Sequence, residues 1–152
     1  MLESWRRATC VALLALALGT AGCGLPRDPE GTLERVRAGT LRAGISARPP
    51  WAVLERGQAA GLEVELVEAF ARHLAARVVW SAGAESELLE RLERGELDVV
   101  VAGLTRGTPW AERVALSQPH ARAADGEHVL ATRRGENGWL LALDAFVLEG
   151  AP

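Results

Sequence analysis

Apolar and polar positions change period several times along this chain, and each change marks an element. Thr40-Leu41-Arg42-Ala43-Gly44-Ile45 alternates with period two, as a half-buried strand does. Arg48-Pro49-Pro50 breaks it, and Trp51 to Glu55 reads as a short second strand closed by Arg56-Gly57. From Leu62 to Ala75 the period lengthens, and Leu62, Leu66, Val67, Phe70 and Leu74 share one helical face. Arg77 to Ser81 returns to a strand with Val78, Val79 and Trp80. Glu85 to Arg94 predicts a second helix that buries Leu88, Leu89 and Leu92 and stops at Gly95. Its Glu87/Arg91 and Glu90/Arg94 pairs have the i,i+4 spacing that gives modest support. Asp98 to Ala102 is continuously apolar after its first residue, the type of strand covered on both faces of a parallel sheet. Glu127 to Thr132 predicts a further strand. Glu136 to Leu148 closes the pattern as a helix, with Trp139, Leu140, Leu143, Phe146 and Val147 on its apolar face. Ahead of the first strand, Asp28-Pro29-Glu30 predicts a helix start, with Asp as N-cap and Pro at the first helical position. Leu33 and Val36 give that helix a thin apolar face, and Gly39 ends it. Strands alternating with helices predict an α/β domain whose sheet is largely parallel.

The first residues carry an address instead. Arg6 and Arg7 precede an apolar run from Ala8 to Leu18, which is shorter than the ~20 residues a spanning helix needs. A basic start, a short apolar run and small residues behind it describe a secretory signal peptide. Gly19-Thr20-Ala21-Gly22-Cys23 resembles the lipobox of bacterial lipoproteins, with Thr20 where Leu is usual. That resemblance implies acylation of Cys23, the first mature residue; the alternative is cleavage near Ala21 with Cys23 left as a free thiol. The chain divides accordingly into a signal peptide over 1–22, a tether over 23–30 and a domain over 31–150. Removal of Cys10 and acylation of Cys23 leave no pair for a disulfide, a metal site or redox chemistry. The expected location is the periplasm or cell surface, held to a membrane by lipid.

Composition narrows the choice of partner. With 152 residues there is room for one domain, and a net charge of −3 from 17 basic and 20 acidic side chains excludes the basic surface of a nucleic-acid binder.

Four segments carry a family resemblance. Gly39-Thr40-Leu41-Arg42-Ala43-Gly44-Ile45 followed by Pro49-Pro50-Trp51 resembles the opening of family 3 bacterial extracellular solute-binding proteins. Gly61-Leu62-Glu63-Val64-Glu65-Leu66 is similar to that family's entry into its first long helix. Leu88, Leu92 and the run Gly95-Glu96-Leu97-Asp98-Val99-Val100-Val101-Ala102-Gly103-Leu104-Thr105 resemble the third signature. Ser117-Gln118-Pro119-His120 stands where the family usually has Ser-Asp-Pro-Tyr. The resemblance implies a periplasmic-binding-protein-like fold and the role of an ABC-transporter substrate-binding protein. Such proteins have two α/β lobes, and the second is inserted after the Ser-Asp-Pro-Tyr region. Here only Ala121 to Pro152 follows, and its end resembles the return strand and helix of the first lobe. The expectation is therefore a single lobe closed on itself, with the second lobe missing.

The resemblance also supplies candidate ligand-binding residues: Trp51, Gly103, Thr105, Arg106, Thr108 and Trp110. In amino-acid-binding relatives an Arg five positions after the motif Thr clamps the ligand carboxylate, a task that suits the guanidinium fork. Trp110 occupies that position here, and Arg113 lies three residues further on and reads as solvated or ion-paired, which argues against an ordinary α-amino acid as ligand or against any ligand. Trp51 either packs on a solute or caps the apolar edge of the lobe. Thr105 and Thr108 either donate hydroxyls to a ligand or form turns around Gly107 and Pro109. Trp51 and Trp110 together suggest an exposed aromatic patch, whereas Trp80 and Trp139 read as core. His73, His120 and His128 read as surface or structural, without a matched set of carboxylates, and Ser117 lacks a nucleophile elbow. No catalytic residue, metal or cofactor is expected. Two functions stay open. One is a lipid-anchored solute-binding component of an ABC-type transport or sensing system, with a small polar solute and a membrane permease as partners. The other is a non-transport interaction lipoprotein whose former cleft face docks a protein.

Overall fold

A computed structural model describes residues 27–150. The signal segment 1–22, Cys10, Cys23 and most of the tether lie outside the described residues. The elements are α1 (Thr32–Val36), β1 (Thr40–Ile45), β2 (Val53–Glu55), β3 (Gln58–Ala60), α2 (Leu62–His73), β4 (Arg77–Ala82), α3 (Glu85–Glu93) and β5 (Val99–Val101). There follow a 3-10 turn (Pro109–Glu112), β6 (Ala115–Leu116), β7 (Ala121–Ala123), β8 (Gly126–His128), β9 (Ala131–Thr132) and α4 (Asn137–Leu148).

Five strands form one sheet in the order β4-β1-β5-β9-β6. β1 runs parallel to β4 and to β5, with Thr40 opposite Arg77 and Ala43 opposite Val99. β9 is antiparallel to both β5 and β6, so the sheet is mixed, its parallel part built by the helix-linked strands and its antiparallel edge by the closing segment. Helices cover both faces. Leu41, Ala43, Ile45, Val99 and Val101 point to a core shared with Val67, Phe70, Trp139 and Leu143. Val100 and Ala102 point the other way, to Leu88, Leu89, Leu92 and Val114. The period-two alternation within β5 thus feeds two cores, which is why that run is apolar throughout.

Helix α2 keeps its sequence-predicted face at Leu66, Val67 and Phe70 and departs from it at its first residue. Leu62 is 51% exposed while Glu63 is fully buried. The helix start is docked on the loop before it: the amides of Leu62 and Glu63 donate to the carbonyls of Pro50 and Trp51 at 3.3 and 2.9 Å. That approach leaves no room for a side chain at Gly61, whose Cβ would lie 2.6 Å from the Trp51 carbonyl at φ +108°. Docking turns Glu63 inward and Leu62 outward.

The first and last helices cap one another, which corrects the expected start at Pro29. Helix α1 begins only at Thr32, after Gly31. Asp28 accepts the Leu33 amide through Oδ2 at 3.0 Å and the Trp139 amide of α4 through Oδ1 at 2.9 Å. In return Glu136 accepts the amides of Glu30 and Thr32 at 3.0 and 3.1 Å. Burial opposes the Glu136 charge, but those two amides and Arg133 outweigh it and hold the carboxyl below its usual range. Trp139 is fully buried and donates Nε1 to the Asp98 carbonyl at 2.9 Å. Trp80 packs against the same core while remaining partly exposed.

Two further expectations change. The strand predicted over Glu127–Thr132 is two: β8 pairs with β7 in a hairpin, and only β9 enters the main sheet. In between, the Leu130 amide donates to Ser117 Oγ at 3.0 Å. On α3, Arg91 and Arg94 both turn to Glu96, at 3.2 and 2.7 Å, instead of the glutamates one turn earlier. Glu96 lies just beyond the helix end, where it meets both arginines.

Candidate functional site

The ends of β1 and β5 run into two loops, Ser46–Ala52 and Ala102–Thr108, at the carboxyl edge of the parallel strands. Ligands of open α/β sheets sit at such an edge. The turn at Gly103 organises the region. Gly103 has φ +58°, and a Cβ there would lie 2.5 Å from Arg48 Cγ and 3.0 Å from Trp51 Cδ1. Its amide donates to Glu63 Oε2 at 3.0 Å, and Glu63 Oε1 lies 3.2 Å from His120 Nε2. A carboxylate buried at the start of α2 therefore ties the β5 turn to the segment after Pro119. Such a group is tolerated inside because both oxygens are engaged.

Trp51 sits on this network. Its ring stacks on His128 at 3.8 Å between centroids, with 25° between planes, and meets His120 edge-on at 5.8 Å. His128 is fully buried, and its Nε2 lies 2.9 Å from Asp125 Oδ1 on the β7–β8 turn. The hydrogen bond from His128, with a smaller contribution from the Arg48 charge, holds Asp125 below the usual aspartate range. His120 and His128 therefore do have carboxylate partners. Glu63 stands 57 positions from His120, a separation across which spacing carries no signal. Asp125 is within one turn of His128, but the hairpin that faces them together was not predicted.

The remaining candidates separate into two groups. Thr105 bridges to His128 through the backbone, and its side chain packs on Gly126. Thr108 Oγ1 accepts the Trp110 amide at 3.4 Å, a turn role beside Pro109. Gly103, Thr105 and Thr108 line one pocket of about 240 Å³ with Arg48, Glu85, Leu104, Gly107 and Pro109. Trp110 and Arg106 stand outside that lining. Trp110 packs against the core beneath α3, with the Arg113 guanidinium 4.7 Å above its ring. Arg113 in turn pairs with Glu93 at 2.5 Å, so it is ion-paired as expected. The exposed Trp51–Trp110 patch expected from sequence does not form: one ring is taken by His128, the other by the second core. Arg106 reaches Gln118 and Glu127 at 3.2 Å each.

A second hollow of about 410 Å³ opens on the other side of Trp51, between α2 and the end of α4, lined by Leu62, Glu65, Leu66, His120 and Val147 among others. At the opposite edge of the sheet, Arg35 and Arg42 converge on buried Asp98; the hydrogen bond to Asp98 raises Arg42 above its usual value. Two guanidinium charges against one carboxylate leave these three side chains with a net charge of +1. Among the described residues no group of three or more His, Cys, Asp or Glu side chains is placed to hold a metal ion. Residues that sequence reasoning missed are Glu63, read only as part of a motif, Arg48, read as part of a strand break, and Glu85, read only as the first residue of a helix.

Known proteins share this architecture. The model of the bacterial extracellular solute-binding proteins, family 3, matches residues 41–144. Membrane-bound lytic murein transglycosylase F of Vibrio cholerae is 32% identical over 102 residues, which are 66% of this chain and 19% of that protein. The chain thus spans about a fifth of the length of the curated relatives it matches. Among solved structures, the arginine-bound form of domain 1 from TmArgBP superposes with a TM-score of 0.70 at 25% identity, over 76% of this chain and 97% of that one. An ancestral cationic amino acid solute binding protein gives a TM-score of 0.54 at 29% identity, over 59% and 41% of the two chains. Truncated ArgBP from T. maritima, arginine-bound, shares the fold at a TM-score of 0.66 and 15% identity, over 76% and 98%.

Proposed function

Because the chain belongs to the bacterial extracellular solute-binding proteins, family 3, we propose that it is the solute-recognising lobe of an ABC-type transport or sensing system, anchored to a membrane through acylated Cys23. Family membership sets it outside the cytoplasm, and its lobe has the fold of a domain taken from an arginine-binding relative. The observation that carries the reading is the Gly103–Thr108 loop. It is braced from behind by Glu63 and Trp51 and opens a small polar pocket at the carboxyl edge of β1 and β5. In this reading the loop binds its solute, and Glu63 and Asp125 hold the two histidines behind it. With one lobe the solute is half enclosed, so affinity is modest unless a permease or a second copy completes the cleft.

The test is thermal unfolding of the full chain against millimolar amino acids, polyamines, organic acids and aromatic compounds. A ligand at 100 times its dissociation constant stabilises the fold by about 2.7 kcal/mol, a shift that is readily measured. A saturable shift supports the reading and names the solute class. A flat response favours the second reading, an interaction lipoprotein whose exposed loop face docks a protein. What favours that reading is the likeness to a fifth of a membrane-bound murein transglycosylase, where a lobe of this type is one part of a larger protein.

A further inference from the structure

We infer that the hollow at the amino edge of the parallel strands, across the sheet from the Gly103 loop, is a phosphate site formed by Arg35, Arg42 and Arg133. The inference is independent of the solute-binding reading. Arg35 comes from the last turn of α1, Arg42 from β1 and Arg133 from the residue after β9, and all three line one hollow of about 270 Å³. Their side chains are 40%, 38% and 30% exposed, so each guanidinium is held by the fold and still reached by solvent. The buried carboxylates behind them are already engaged. Asp98 accepts Arg35 and Arg42 through Oδ1, and the Arg42 amide and Nε through Oδ2 at 2.9 and 3.2 Å. Glu136 gives its two oxygens to the amides of Glu30 and Thr32. A guanidinium only donates, so three of them leave the hollow richer in donors than in acceptors.

Arg133 is the member with room for a ligand. Among the described residues its ion pair is with Glu30 at 3.5 Å, and the Glu30 side chain is 62% exposed. The Arg133 guanidinium lies over Gly95, where a Cβ would stand 2.9 Å from Nη1 and 3.3 Å from Cζ, so packing helps to place it. With Glu30 turned into solvent, three positive charges face the two negative charges of Asp98 and Glu136, and an anion balances the surplus. Three guanidinium groups around one hollow match the three terminal oxygens of a phosphate monoester better than the two of a carboxylate. Two sources present that chemistry, a free phosphate and a phospholipid headgroup. Glu30 follows Cys23 by seven residues, which reach at most about 25 Å. An acylated Cys23 therefore keeps the hollow within range of membrane headgroups.

Calorimetric titration of the full chain at constant ionic strength with inorganic phosphate, dihexanoyl phosphatidic acid and acetate tests the assignment. A phosphate ligand is expected to bind saturably at one site, with acetate at least about tenfold weaker. Inorganic phosphate binding as tightly as the lipid identifies a free phosphate as the ligand, and tighter binding of the lipid identifies a headgroup; both results support the site. Arg133→Gln is expected to weaken binding by at least about tenfold, the scale of one charge-assisted hydrogen bond, and Arg133→Lys should recover part of it. The Arg133→Gln variant should unfold near the parent temperature, since its partner is an exposed carboxylate. Glu30→Gln removes the competitor for Arg133 and should tighten binding by about twofold to fivefold, a gain that a purely structural ion network would not give. No saturable binding of either phosphate ligand overturns the inference, as does acetate binding as tightly as phosphate or unchanged affinity in Arg133→Gln. Should Arg133→Gln fail to fold, unchanged affinity in Glu30→Gln overturns it. Each of those results leaves the solute-binding reading intact, because the hollow lies at the other edge of the sheet.

Discussion

At the residue scale, the loop face depends on two side chains whose roles are set by neighbours distant in sequence. Glu63 is buried and satisfies the Gly103 amide and His120 at once. Glu63→Leu strands both partners, and each unsatisfied buried polar group costs about 1–3 kcal/mol. Denaturant unfolding should therefore show a loss of about 2–4 kcal/mol, with Glu63→Gln recovering part of it. Gly103 combines a left-handed backbone with the close approach of Arg48 and Trp51. Gly103→Ala is expected to cost about 1–2 kcal/mol through that strain. It also displaces Arg48, so solute affinity should fall by more than the stability loss explains; titration of the folded variant measures this.

At the element scale, the reciprocal caps of α1 and α4 join the two ends of the described chain. Glu136 is an acid held below its usual pKa, so its contribution is present above the ordinary value of 4.5 and is lost as pH falls through the lower folded value. Glu136→Gln should lose about 1–2 kcal/mol at pH 7, the scale of a helix cap. The gap to the parent should close in acid, as urea unfolding at stepped pH will record. Asp28→Ala removes a cap from both helices and is expected to cost about 1–3 kcal/mol by the same assay.

At the scale of the whole molecule, the β7–β8 hairpin directly follows Ser117–His120, the segment after which the family resemblance implies an inserted second lobe in two-lobed members. The chain passes from His120 through the turn at Ala124-Asp125 back to β8 and β9. Lengthening an exposed loop costs little closure entropy, about 0.6 kcal/mol for each doubling. A Gly-Ser pair inserted between Ala123 and Ala124 should therefore lower stability by less than about 1 kcal/mol. Removing α4 strips cover from Phe70 and deletes Trp139 and Leu143, so a chain ending at Glu136 should lose its cooperative thermal transition.

The order of strands and helices, the two-faced burial of β5 and the family were legible in the sequence, because periodicity and local motifs are short-range properties. Leu41, Val99, Val101, Leu88 and Trp139 lie where their spacing put them. The site was legible only in part. Gly103, Thr105 and Thr108 stand at the pocket, but Trp110 and Arg106 do not, since position within a motif does not say which core a ring will join. The docking of α2 on the Trp51 carbonyl decided that Glu63, not Leu62, turns inward. The pairing of Glu63 with His120, the capping of α1 by Glu136 and the lining of one pocket by both Arg48 and Glu85 bring together residues tens of positions apart. Hydrogen bonds and charges of that kind act through space at a few ångströms, so only the folded chain brings them together.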